Sequence, residues 1–147
     1  YNGHRVAMLF LDSAGIAGPI ASRLRDLGHR NIIEVNFGAD SPDMKCRYFR
    51  DYMWAAMKAW LAAGAIDKSP RLEIDLQAPG LRPDMKQRIW LESKEDIKKR
   101  DDGKSPDDGD ALALTFAQPV RAKSEDLAKP PVYVGQGGRT WMSGAFR

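Results

Sequence analysis

Cysteine is almost missing from this chain. A single residue, Cys46, excludes an internal disulfide and fits a reducing compartment or indifference to redox state. Histidine is nearly as scarce. His4 and His29 stand at the edges of expected elements without paired ligands, which indicates neither a zinc site nor a Ser–His–Asp triad. No apolar run approaches the ~20 residues of a membrane span, and no charged-then-apolar leader opens the sequence. Charge of one sign is also lacking: 23 Lys and Arg against 20 Asp and Glu leave a net +3, permissive of nucleic acid without demanding it. Internal repeats are absent. At 147 residues there is room for one domain of ordinary size, and 43% hydrophobic content with 29% charged argues against wholesale disorder. The chain opens on Tyr1 rather than Met, as a piece of a longer protein would.

What is present has a clear order. Val6 to Leu11 is a continuous apolar run that stops at Asp12, Ser13, Ala14 and Gly15, which suits a buried strand. Ile16, Ile20, Leu24 and Leu27 then fall on a helical stripe closed by Gly28, and Asn31 to Val35 reads as a second strand. Strand, helix, strand with short joints predicts a parallel βαβ unit in an α/β sheet. After a loop over 37–45, Phe49, Met53, Ala56, Met57, Trp60 and Leu61 recur at helical spacing until Gly64, a core stripe. Leu72 to Leu76 alternates like a strand, but Ser69-Pro70 in front favours a helix start. Arg88 to Leu91 reads as a short strand. Ser93 with Asp96 resembles a capping box opening a charged helix, and Ser105-Pro106-Asp107 opens another, with Ser105 as its cap. Beyond Pro119 the pattern fades, so 118–147 reads as a loosely ordered tail.

Few residues here suggest chemistry. Asp12 stands just past the end of the first strand, the edge where open α/β sheets build their sites. Asp107 and Asp110 share one face of the first turn of the last helix. If that turn packs near Asp12, three oxygen donors converge, as hard cations such as Mg²⁺ or Mn²⁺ require, and such ions activate water against a phosphodiester. The same acids also suit a helix dipole and a strand end with no metal at all. Lys94, Lys98, Lys99, Arg100 and Lys104 lie among acids in 92–110, which is either a solvated helix face or a basic surface beside an acidic site. Other chemistries fare worse. Gly103-Lys104-Ser105 lacks the earlier glycine of a P-loop, since Lys98 occupies its place. Gly15 and Gly18 are an incomplete dinucleotide fingerprint and read as glycines that relieve crowding at a strand–helix turn. Cys46 has no base beside it and reads as a small filler.

Several blocks taken together resemble a known family. They are Leu11-Asp12-Ser13-Ala14-Gly15-Ile16-Ala17-Gly18, Ile33 to Gly38, Met53-Trp54 and Trp60 to Gly64. Two more are Leu91-Glu92-Ser93-Lys94-Glu95-Asp96-Ile97-Lys98-Lys99-Arg100 and Ser105-Pro106-Asp107-Asp108-Gly109-Asp110 through Phe116. From Val6 to Ala117 the chain is similar to the C-terminal nuclease domain of bacteriophage terminase large subunits. The resemblance implies an α/β, RNase H-like fold with a mixed sheet flanked by helices, occupying 1–117. It implies a Mg²⁺- or Mn²⁺-dependent endonuclease that cuts concatemeric double-stranded DNA during viral packaging in the host cytoplasm. Asp12, Asp107 and Asp110 would be catalytic, metal-binding carboxylates, and Lys94, Lys98, Lys99, Arg100 and Lys104 DNA contacts. Implied partners are the terminase small subunit, the portal and an ATPase domain, with no membrane. The family's first aspartate lies on an upstream strand without a counterpart here, so one metal ligand and the opening strands are expected to be missing and activity reduced. Asp108-Gly109 departs from the apolar or small pair expected at that point. The alternatives are another RNase H-like nuclease, such as a Holliday-junction resolvase, and a non-catalytic DNA-gripping or portal-docking module.

Overall fold

The first apolar run forms a strand only over its second half. In the computed structural model, which describes residues 6–120, β1 spans Leu9–Asp12 and pairs in parallel with β2, Ile32–Val35, with Leu9 opposite Ile32 and Asp12 opposite Val35. Between them runs α1, Ala17–Asp26, completing the expected βαβ unit. The described residues form a small α/β structure with this two-stranded sheet and five helices. β1 is half-buried rather than buried, because among the described residues its only strand partner is β2.

The α1 stripe faces largely outward, with Ile16 75% exposed and Ile20 and Leu27 exposed as well. Ala17 and Ala21, four apart, are the buried face instead. Small side chains let the helix backbone approach the strands closely. Gly15 is fixed by its backbone, since φ is +66°, a conformation that favours glycine. A Cβ at Gly15 or Gly18 would touch nothing within 4 Å, so neither glycine relieves crowding.

The core lies between β2, α2 (Phe49–Leu61) and α5 (Asp107–Leu114). Val35, Met53, Trp54, Met57, Ala113 and Leu114 form it. Met53 and Met57 are fully buried, as their spacing predicts, while Trp60 is exposed and packs at its ring against Phe116, 5.7 Å away. That ring lies over Gly64, where a Cβ would come within 2.6 Å of it. α2 itself already ends at Leu61, and the Trp60 ring is what requires glycine at 64. Asp51, buried in α2, accepts from Tyr48 N at 2.8 Å and from Leu91 N at 3.0 Å. With Leu91 N taken by a carboxylate, 88–91 forms no strand and makes only isolated bridges, Cys46 to Ile89 and Leu81 to Leu91. Cys46 is buried, as a filler would be, and burial raises its thiol pKa, with Asp43 and Asp51 adding to the shift.

The remaining helices start as the sequence suggests, with one exception. Ser69 caps α3 (Pro70–Gln77) through Leu72 N, and Ser93 caps α4 (Lys94–Arg100) through Asp96 N. Ser105 does not cap α5. Pro106 holds the N-cap position, and the buried Ser105 Oγ has no partner among the described residues. The acceptor comes from α3: Asp75 Oδ2 takes Asp108 N at 2.8 Å and Gly109 N at 3.3 Å. A buried carboxylate binding two orphan amides satisfies both its own charge and the helix end. The tail over 121–147 and His4 lie outside the described residues.

Two outcomes follow from these contacts. A Cβ at Gly109 would sit 2.9 Å from the Trp54 ring and 3.3 Å from Asp75, so Gly109→Ala is expected to lower the unfolding free energy by about 1–3 kcal/mol in a urea titration. Asp84 accepts from Arg88 N and Nε in the 82–90 turn, and the Arg88 side chain holds its carboxyl at about 2, below the ordinary 3.8. A folded-state pKa below the unfolded one gives stability that is complete above pH ~4 and disappears as pH falls through ~2. Wild type and Asp84→Asn should therefore differ in thermal stability at pH 6 and converge towards pH 2.

Candidate functional site

Asp12 closes β1, and its Oδ1 accepts from Ala14 N at 3.1 Å, turning the chain towards α1. Beside it, Val35 ends β2, and two residues later comes Phe37. Lys94 Nζ lies 5.3 Å from the centroid of the Phe37 ring and 3.0 Å from Asp110 Oδ2. Asp110 is therefore one lysine away from the C-terminal edge of the sheet where Asp12 stands. α5 itself touches β1.

Asp110 is the most heavily engaged of them. Its side chain is only 4% exposed. Oδ1 accepts from Trp54 Nε1 at 2.7 Å and from Arg50 Nε at 2.9 Å, while Oδ2 pairs with Lys94 Nζ at 3.0 Å and accepts no hydrogen bond among the described residues. Arg50 also donates Nη1 to Glu92 O, and its Nη2 is buried with no hydrogen-bond partner among the described residues. One buried carboxylate is thus bracketed by two cations and an indole. A hard divalent cation at Asp110 would have to compete with both of those positive groups, so its surroundings suit an ion pair better than metal ligation. Asp107, one turn earlier, is exposed and forms no ion pair among the described residues. Asp12 keeps one oxygen clear of its turn. Asp12 and Asp107 form no ion pair among the described residues, unlike Asp110. Among the described residues no group of three or more His, Cys, Asp or Glu is arranged to hold a metal ion.

The five expected DNA contacts divide. Lys94 is committed to Asp110, and Arg100 donates Nη2 to Glu92 at 2.9 Å and to Ala78 O at 2.7 Å. That bond to Arg100 holds the Glu92 carboxyl below its usual range. Lys99 is 3.9 Å from Asp96, and Lys98 and Lys104 are exposed. The stripe is therefore largely a solvated, self-paired helix face with two lysines, Lys98 and Lys104, that form no ion pair among the described residues.

Sequence reasoning missed Arg50 and Asp75. Arg50 and Trp54 are four apart on α2 and so share a face, a pairing that only gains meaning once Asp110 is opposite. Asp75 had no signal beyond being an acid on an amphipathic helix. Nor did the sequence single out Arg47 and Arg82, whose guanidiniums lie over the Trp90 ring, 3.7 and 4.6 Å from its centroid.

No protein-family model matches the chain, and no curated protein matches it either.

Removing the Asp110 carboxylate would leave Arg50 and Lys94 facing each other without a counter-charge. Asp110→Ala is expected to destabilise the fold by about 3–5 kcal/mol, whereas Asp107→Ala should stay within about 0.5 kcal/mol of wild type by chemical denaturation.

Proposed function

We propose that this chain is part of a metal-dependent endonuclease of the terminase large-subunit type, with an RNase H-like sheet continuing beyond β1. The observation that carries the reading is the contact of α5, the helix bearing Asp107 and Asp110, with β1, the strand ending in Asp12. The exposed Val6, Leu9, Ile16 and Ile20 agree with a sheet whose apolar surface extends further than two strands.

In this reading the residues have separate tasks. Asp12 and Asp107 would hold the cation, which when bound would supply Lewis acidity and an activated water. Asp110 pairs with Lys94 and Arg50 and so serves the packing of α5 rather than the cation. Double-stranded DNA is the proposed substrate, with the small subunit, portal and ATPase motor as partners in the host cytoplasm. Among the described residues no helix is long and apolar enough to cross a membrane.

Incubation of the chain with supercoiled plasmid and Mn²⁺ tests this. Nicking is expected that EDTA abolishes and that falls at least ~100-fold in Asp12→Ala and Asp107→Ala, both remaining folded by circular dichroism. Unchanged nicking in either variant removes the assignment, and metal-independent binding without nicking favours a DNA-gripping module.

A further inference from the structure

The 82–90 turn and the 43–48 segment lie side by side, joined by Arg47 N to Ile89 O at 2.9 Å and Ile89 N to Lys45 O at 2.7 Å. Together they carry five cations and two carboxylates, Asp43 and Asp84. Arg88 takes Asp84 through both its Nε and Nη2. Arg47 is left 3.8 Å from that carboxylate and Arg82 3.4 Å from Asp96, at side-chain exposures of 30% and 41%. Neither guanidinium donates a hydrogen bond to any group among the described residues, although both are held over the Trp90 ring. Each carries five N–H donors in a rigid plane. Stacking has fixed two planar cations at the surface, and ion pairing has not consumed their donors.

We propose that Arg47 and Arg82, stacked on Trp90, with the exposed Lys45 and Lys86 beside them, form a ridge that grips the phosphate backbone of duplex DNA. The choice of duplex DNA rests on the nuclease reading; the donor-rich ridge does not. Planar guanidiniums match phosphate oxygens bidentately, and their prior immobilisation lowers the entropy lost on binding. The ridge leads towards the candidate edge, because Tyr48 and Phe49 alone separate Arg47 from Arg50, whose backbone N–H donates to Phe37 O. In the α4 stripe, by contrast, Lys94 and Arg100 are paired with Asp110 and Glu92, and Lys98 and Lys104 are exposed with no aromatic ring beneath them among the described residues.

Binding of a fluorescein-labelled 20-base-pair duplex, followed by anisotropy in EDTA from 50 to 200 mM KCl, tests the ridge apart from catalysis. Arg47→Ala/Arg82→Ala should weaken binding at least ~10-fold and reduce the slope of log K against log[salt] by about 2, near 0.9 per lost phosphate contact. Trp90→Leu should weaken binding with the slope unchanged, since it removes the stack but not the charge. Lys45→Gln/Lys86→Gln leaves the stack intact and should also lower the slope by about 2, which keeps the test decisive if the arginine variant unfolds. Wild-type affinity and slope in the folded variants overturn the proposal. So does equal competition by polyglutamate, which would assign the ridge to an acidic polypeptide. Plasmid nicking lost in Asp12→Ala while ridge binding persists in EDTA separates failure of one reading from failure of the other.

Discussion

A single buried carboxylate holds the middle of this structure together. Asp110 takes a guanidinium and an indole from α2 and an ammonium from the start of α4, so three helices are fixed relative to one another through one side chain. Burying a charge is unfavourable unless partners compensate it, and here the compensation determines the arrangement. α5 can enter the core only in the rotation that turns Asp110 to α2, and that rotation puts Ala113 and Leu114 against Met53 and Met57. The position of the chain between Glu92 and Lys94 follows, because Arg50 also holds Glu92 O.

The same economy recurs around the core. Asp75 caps α5 from α3, Asp51 ties α2 to Leu91, and Asp84 organises the 82–90 turn through Arg88. Each acid joins elements or closes a turn through amides and guanidiniums. Acids that a sequence reading assigns to chemistry therefore divide here by burial. Those inside serve the architecture, whereas Asp12 is half-buried and Asp107 exposed, and neither forms an ion pair among the described residues. A buried ion pair and a metal site ask for opposite surroundings, the first for cations close by and the second for their absence.

Much of the fold was legible in advance. The parallel βαβ unit, the Met53–Met57 stripe of α2 and the capping serines 69 and 93 are local features, governed by hydrophobic period and by hydroxyls near orphan amides. The failures were non-local. Ser105 looked like a cap, but Asp75 reached the amides of α5 from another helix. Arg88 to Leu91 looked like a strand, but Asp51 took the N–H of Leu91. The α1 stripe looked inward-facing, yet Ala17 and Ala21 are the face that packs.

What the sequence by itself determined is the order of elements and the placing of Asp12 at the end of a strand and of Asp107 and Asp110 in the first turn of a helix, because both follow from contacts within a few residues. Tertiary structure alone decided which acid is buried, which cations are spoken for and which remain free. Those outcomes depend on pairs far apart in the chain, Arg50 with Asp110 and Arg47 with Trp90 among them, whose energies exist only after packing has excluded water between them.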